Sequence, residues 1–163
     1  MRRKSLARSS VENVLTVLRA NFGLRPQDYD IHVNFPGGVP IDGPSAGVSI
    51  VTAIYSAITK LKVRHDVAMT GEVSIHGKVK PVGGVVAKIE AARLAGVKKV
   101  LIPKDNWQDI FADMQELTIQ PVADIEEVIA EALVTETAPR TSITVREERE
   151  LLSAAPVFHT SET

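Results

Sequence analysis

The stretch that decides the fold is Pro40-Ile41-Asp42-Gly43-Pro44-Ser45-Ala46-Gly47-Val48-Ser49-Ile50-Val51-Thr52-Ala53-Ile54-Tyr55-Ser56-Ala57-Ile58. It breaks at Gly43-Pro44 and then runs mostly apolar, with no further Gly or Pro after Gly47. A helix over about 44–59 follows, with Pro44 at its first position, where a missing N–H costs nothing. Ser45 then sits in the first turn. Unpaired amides and the positive end of the helix dipole lie there, suited to an anion. Serine at a helix start is also a common cap, so the motif by itself leaves a structural role open.

Outward from this helix the chain alternates strand and helix patterns. Val11, Val14, Leu15 and Leu18 recur at helical spacing, and Ser9 with Glu12 has capping-box spacing. A helix over roughly 10–22, ended by Gly23, is expected. Ile31, Val33 and Phe35 alternate with His32 and Asn34, a strand with one buried face over 30–35. Residues 66–75 and 78–82 read as two strands joined by a turn at Gly77. Gly83-Gly84 opens a helix at about 85–95, closed by Gly96. A buried strand at 97–102, a helical stretch at 105–113 and a strand at 117–121 follow. A helix capped by Asp124 and Glu127 runs to about 133. The pattern implies an α/β (α+β) domain over 1–134. Residues 135–163, rich in Thr, Glu and Ser, read as a polar tail with a short helix at 145–154.

Composition narrows the function. The chain has 163 residues, 44% of them hydrophobic and 24% charged, enough for one self-sufficient core. A net charge of −1 and only seven aromatic residues give no electrostatic footprint or stacking platform for nucleic acid. There is no cysteine, which removes disulfides, thiolate catalysis and Cys-type zinc sites and is compatible with a reducing compartment. Arg2, Arg3, Lys4 and Arg8 precede no apolar signal core, and no apolar run is long enough for a membrane span.

A hydrolytic serine needs a base. Lys88 shares a helix face with Val85, Ala91, Ala92 and Ala95. An ordinary lysine there snorkels to water. An ordinary lysine, with a pKa of about 10.4, is neutral in only roughly one copy in 2,500 at pH 7. Lowering that pKa by about three units costs roughly 4 kcal/mol of differential solvation, which an apolar pocket at a helix N-terminus supplies. His32, on the predicted strand beside the loop, is a competing base for a triad. No nucleophile elbow Gly-x-Ser-x-Gly and no HExxH metal spacing occurs. A different class of reading takes the glycine-containing loop 36–47 as a phosphate cradle, although the P-loop pattern is absent.

Taken in order, these segments resemble the proteolytic domain of the Lon protease family. Asp42-Gly43-Pro44-Ser45-Ala46-Gly47 looks like its nucleophile motif, and Met69-Thr70-Gly71-Glu72-Val73 like its next signature. Gly77-Lys78-Val79-Lys80-Pro81-Val82-Gly83-Gly84 is similar to the segment before its lysine helix, and Lys88 follows 43 residues after Ser45. Val97 to Pro103 resembles the strand beyond. The resemblance covers about 10–134 and implies a fold similar to the second domain of ribosomal protein S5.

The resemblance implies a serine endopeptidase in which Ser45 is the nucleophile and Lys88 the general base. By it Thr70 hydrogen-bonds near the lysine, Asp42 is an acid beside the nucleophile, and Glu72 and His32 are further polar residues near the site. Gly43, Pro44 and Ser45 form the oxyanion loop. Physically, Thr70 orients a neutral amine without adding charge, whereas Asp42 close to Lys88 would hold it protonated; alone, Asp42 reads equally as a turn residue or cap. The family's longer members carry an ATPase module, which uses ATP and Mg. This sequence has no Walker A motif, starts almost at the first helix and is expected to be N-terminally truncated relative to that domain. The resemblance further implies unfolded or damaged proteins as substrates, a hexameric ring, an ATPase module in cis or trans, no cofactor or metal in this chain, no nucleic acid or membrane partner, and a cytoplasmic setting. The readings from other classes are a phosphate-binding or small-molecule kinase-like domain and a non-catalytic assembly module.

Overall fold

A computed structural model describes residues 6–34 and 43–134. Its helices are α1 (Leu6–Phe22), α2 (Gly47–Thr59), α3 (Val85–Leu94) and α4 (Ile125–Ala132). Its strands are β1 (Val67–Met69), β2 (Glu72–Val73), β3 (Val79–Lys80), β4 (Lys99–Pro103) and β5 (Thr118–Val122). Strands β1, β4 and β5 form a parallel sheet with β4 central, and β2 and β3 form an antiparallel hairpin. The fold is α/β, as the alternating pattern required.

The central strand explains the layering. Successive side chains of a strand point to opposite faces. Leu101 enters a core with Val14, Val17 and Leu18 of α1, Val48, Val51 and Ile54 of α2, and Ile125 and Val128 of α4. Val100 and Ile102 enter a second core with Val85, Ile89 and Ala92 of α3, Phe111, Leu117 and Ile119. Helices thus cover both faces, which is what a parallel sheet demands. Pro121 lies in β5 at the sheet edge, where its missing N–H costs no ladder bond.

Several local expectations change. The strand expected over 66–75 is interrupted at Thr70-Gly71 and gives β1 and β2 separately. The Thr70 N–H still reaches Leu101 O (3.1 Å), but the Gly71 N–H turns to Ser45 O (2.9 Å). The chain leaves the sheet at this point to meet the start of α2. Of the strand expected over 30–35, residues Ile31 to Asn34 belong to no ladder among the described residues, and Phe35 lies outside them. Ser9 falls inside α1 and not at its start. Asp124 occupies the N-cap position of α4 without capping, because its carboxylate pairs with Lys78 Nζ at 2.6 Å; Glu127 accepts the Ala123 N–H instead. The helix expected at 105–113 resolves into two short 3-10 turns, Lys104–Asn106 and Asp109–Asp113. The tail and its helix at 145–154 lie outside the described residues.

One glycine shows how closely α2 and the hairpin approach. A Cβ on Gly47 would lie 2.9 Å from the backbone nitrogen of Val73 and 3.3 Å from Gly71 O. Backbone atoms on both sides cannot yield as a flexible side chain would. Gly47→Ala is therefore expected to destabilise the fold by about 1–3 kcal/mol through overpacking, despite a helix propensity that favours alanine by about 1 kcal/mol. Urea denaturation checks this, and an unchanged or higher midpoint contradicts the packing argument.

Candidate active site

Three elements converge beyond the carboxyl ends of β1 and β4, the usual crevice of an open α/β sheet. Gly43 is extended, and Pro44, Ser45 and Ala46 form a 3-10 turn that runs directly into α2. No side chain caps α2. Its first amides are met by backbone instead: the Gly47 N–H donates to Pro44 O, and the Val48 N–H donates to Gly71 O at 3.2 Å. Gly71 donates its own N–H to Ser45 O, so one residue binds both sides of the turn. This exchange ties Ser45 to the end of β1.

Thr70 is the hinge of the arrangement. It is 6% exposed, and its hydroxyl donates to Ser45 O over a long 3.4 Å. That leaves oxygen lone pairs free to accept, and Lys88 Nζ donates to Thr70 Oγ1 at 3.2 Å. Lys88 comes from the first turns of α3, where Val85 and Ile89 are buried on the same side of the helix. Lys88 is half-buried, and burial alone pushes its pKa below the ordinary lysine value; no charged group among the described residues contributes. The structure therefore brings Lys88, Thr70 and the backbone of Ser45 into one chain of contacts.

The other predicted residues are less closely gathered. Glu72 opens β2 opposite Lys80 in the ladder, half-exposed. His32 is exposed and borders a groove of about 570 Å³ between residues 29–34 and α2, beside Ser49 and Ile50. Ser45, Thr70 and Lys88 do not line that groove. Asp42, with the glycine loop 36–41, lies outside the described residues. Asn106 was not anticipated: its side chain bonds both backbone groups of Val82, just before the Lys88 helix. A polar residue three positions past Pro103 carries no local signal for such a contact.

The sequence carries relationships that match this geometry. The family model for the Lon protease (S16) C-terminal proteolytic domain matches residues 4–135. Lon protease 2 of Bacillus subtilis is 55% identical over 134 residues, covering 82% of this chain and 24% of that protein. An archaeal Lon protease of Pyrococcus abyssi is 46% identical over 133 residues, covering 79% and 13%. The Lon protease of Escherichia coli is 43% identical over 148 residues, covering 84% and 19%. The chain belongs to the Lon proteolytic-domain family. It spans about a quarter or less of the length of these relatives. No helix among the described residues is long and apolar enough to cross a membrane.

A lysine whose charge is disfavoured by burial works against the fold. Its folded-state pKa lies below the unfolded value, so the unfolded chain binds more protons between the two values, and stability rises with pH through that window. At neutral pH, Lys88→Met is expected to leave the unfolding midpoint unchanged or to raise it, since the substitution keeps the stem and removes the charge. A clear drop in the thermal midpoint at pH 7 would show that the ammonium stabilises the fold.

Proposed function

We propose that the chain is a serine endopeptidase module in which Ser45 is the nucleophile and Lys88 the general base. The observation that supports this most is the Nζ of half-buried Lys88 donating to Thr70 Oγ1 while the Thr70 hydroxyl donates to the Ser45 carbonyl. A neutral amine donating one N–H to a hydroxyl keeps its lone pair for another proton. Ser45 Oγ attacks the scissile carbonyl and its proton passes to Lys88 Nζ. The resulting ammonium then protonates the departing amine, leaving an acyl-enzyme ester at Ser45. Lys88, neutral again, takes a proton from water as the water attacks the ester and returns it to Ser45 Oγ as the ester bond breaks and the product acid leaves. Thr70 holds the amine without supplying the negative charge that would keep it protonated. The Gly47 and Val48 amides are already committed, so the developing oxyanion falls to the Ser45 amide and the positive end of α2.

The substrates proposed are unfolded or damaged polypeptides, in keeping with the match to Lon proteases. The energy-dependent part of the activity, with its ATP and Mg, is assigned to an ATPase module in cis or trans. A hexameric ring and a cytoplasmic setting follow from the same reading. His32 is proposed to stand outside the proton transfer, being exposed and bordering a groove that neither Thr70 nor Lys88 lines. Phosphate binding and a purely architectural role find no support in the family match or in the lysine's environment.

Ser45→Ala and Lys88→Ala are each expected to lower kcat on an unfolded protein substrate by at least about 10³-fold, as removal of one member of a nucleophile–base unit does. His32→Ala is expected to change it by less than about 3-fold. If the histidine substitution removes activity and the lysine substitution does not, the base is misassigned. The pH profile follows from the direction of the Lys88 shift: kcat/KM rises with pH through an apparent pKa below that of free lysine, because the neutral amine is the active form. A profile whose acid limb survives Lys88→Ala contradicts this.

A further inference from the structure

The segment that launches the Lys88 helix is held from outside by one side chain. Asn106 Oδ1 accepts the Val82 N–H at 2.8 Å, and Asn106 Nδ2 donates to Val82 O at 3.1 Å. The amide gives Val82 the donor and acceptor that a neighbouring strand would give. Val82 lies just past β3, where the ladder with β2 has ended. Gly83 and Gly84 follow, both exposed, and a Cβ at either would meet nothing within 4 Å. Gly84 takes the left-handed conformation at φ 68° and heads α3 with no side-chain cap. These two residues have no side chains with which to fix themselves. The Lys88 N–H donates to Gly84 O at 3.1 Å, so the lysine hangs from the first backbone bond of the helix. The carbonyl that holds the Lys88 N–H therefore lies only two residues past the clamped Val82.

Asn106 is itself well placed to act as an anchor. It closes the 3-10 turn Lys104–Asn106, which continues from the central strand β4, and the Trp107 N–H ties that turn to Lys104 O at 3.1 Å. We propose that Asn106 is a positioning residue for Lys88, clamping Val82 so that the first turn of α3 holds the amine against Thr70. The proposal rests on Lys88 being the base. An asparagine suits the task because one planar amide carries a donor and an acceptor side by side. An aspartate would keep the bond to the Val82 N–H but set a second acceptor against the Val82 carbonyl. The charged groups on α3, β2, β3, β4 and the Lys104–Asn106 turn are Glu72, Lys80, Glu90, Arg93, Lys99, Lys104 and Asp105. None contributes to the depression of its pKa, so that depression reads the amine's hydration and hence its position.

The test is a lysine-detected NMR titration of the full 163-residue chain, unsubstituted and as Asn106→Ala and Asn106→Asp, with the Lys88 signal assigned by its loss in Lys88→Met. Released from the clamp, the amine is expected to hydrate and titrate higher, toward the free value of about 10.4, in Asn106→Ala and by less in Asn106→Asp. In the same variants kcat on an unfolded polypeptide is expected to fall about 10- to 100-fold while KM changes less than about 3-fold, the signature of a displaced catalytic group. A general loss of stability moves neither the titration nor that split in protein that is still folded. If alanine prevents folding, the aspartate variant decides. A Lys88 titration unchanged in a folded variant overturns the proposal. If Lys88→Ala retains full activity, the assignment of the base fails separately, and the titration still reports whether Asn106 positions the lysine.

Discussion

The backbone exchange between Gly71 and the start of α2 is the constraint on which the rest depends. Gly71 donates to Ser45 O and accepts from the Val48 N–H, so a residue that leaves one strand becomes the cap of a helix. An uncapped helix start buried against a sheet would leave polar groups without partners, at a cost of about 1–3 kcal/mol each. Meeting them with the backbone of β1's continuation forces that strand to break at Thr70. It also forces the serine-bearing turn to sit beside the threonine. Gly47 makes the approach close enough, since a Cβ there would strike the Val73 backbone. Fold and site are therefore set by the same few bonds.

The second constraint is electrostatic. Lys88 lies beside the apolar Val85 and Ile89 of α3, and its one polar contact among the described residues is neutral. A carboxylate in that place would stabilise the protein and keep the amine charged, removing its basicity. A hydroxyl adds no such charge, so burial is left to disfavour the ammonium. A site of this kind gives up some stability for reactivity, a general trade-off at active sites. Elsewhere the charges behave conventionally: Arg64 with Asp66, Lys78 with Asp124 and Lys99 with Glu131 are paired near the surface.

Much of this was legible in the sequence because its signals were local. The apolar run of α2, the buried strand β4 and the Gly77 turn each carry their own periodicity or turn chemistry, and each was found within a few residues. Ser45, Thr70 and Lys88 stand out by motif, and the contacts joining Lys88, Thr70 and the Ser45 backbone are present. What could not be read depends on distant partners. The break at Thr70-Gly71 is caused by residues 45 and 48. Asp124 fails to cap because Lys78 claims its carboxylate, and Ile31 to Asn34 alternate like a strand without a ladder among the described residues. Asn106 looks like any polar turn residue until Val82 is seen against it.

On the proposed function, Ser45 is made reactive by a Lys88 amine with a depressed pKa. The most direct measurement is mass-spectrometric mapping of a serine-directed phosphonate probe, with its rate of attachment followed across pH in the unsubstituted chain and in Lys88→Met. The predicted result is a single adduct at Ser45 whose rate rises with pH through an apparent pKa below that of free lysine and collapses in the methionine variant. Attachment at another residue, or an equal rate at Ser45 without the lysine, would contradict the account.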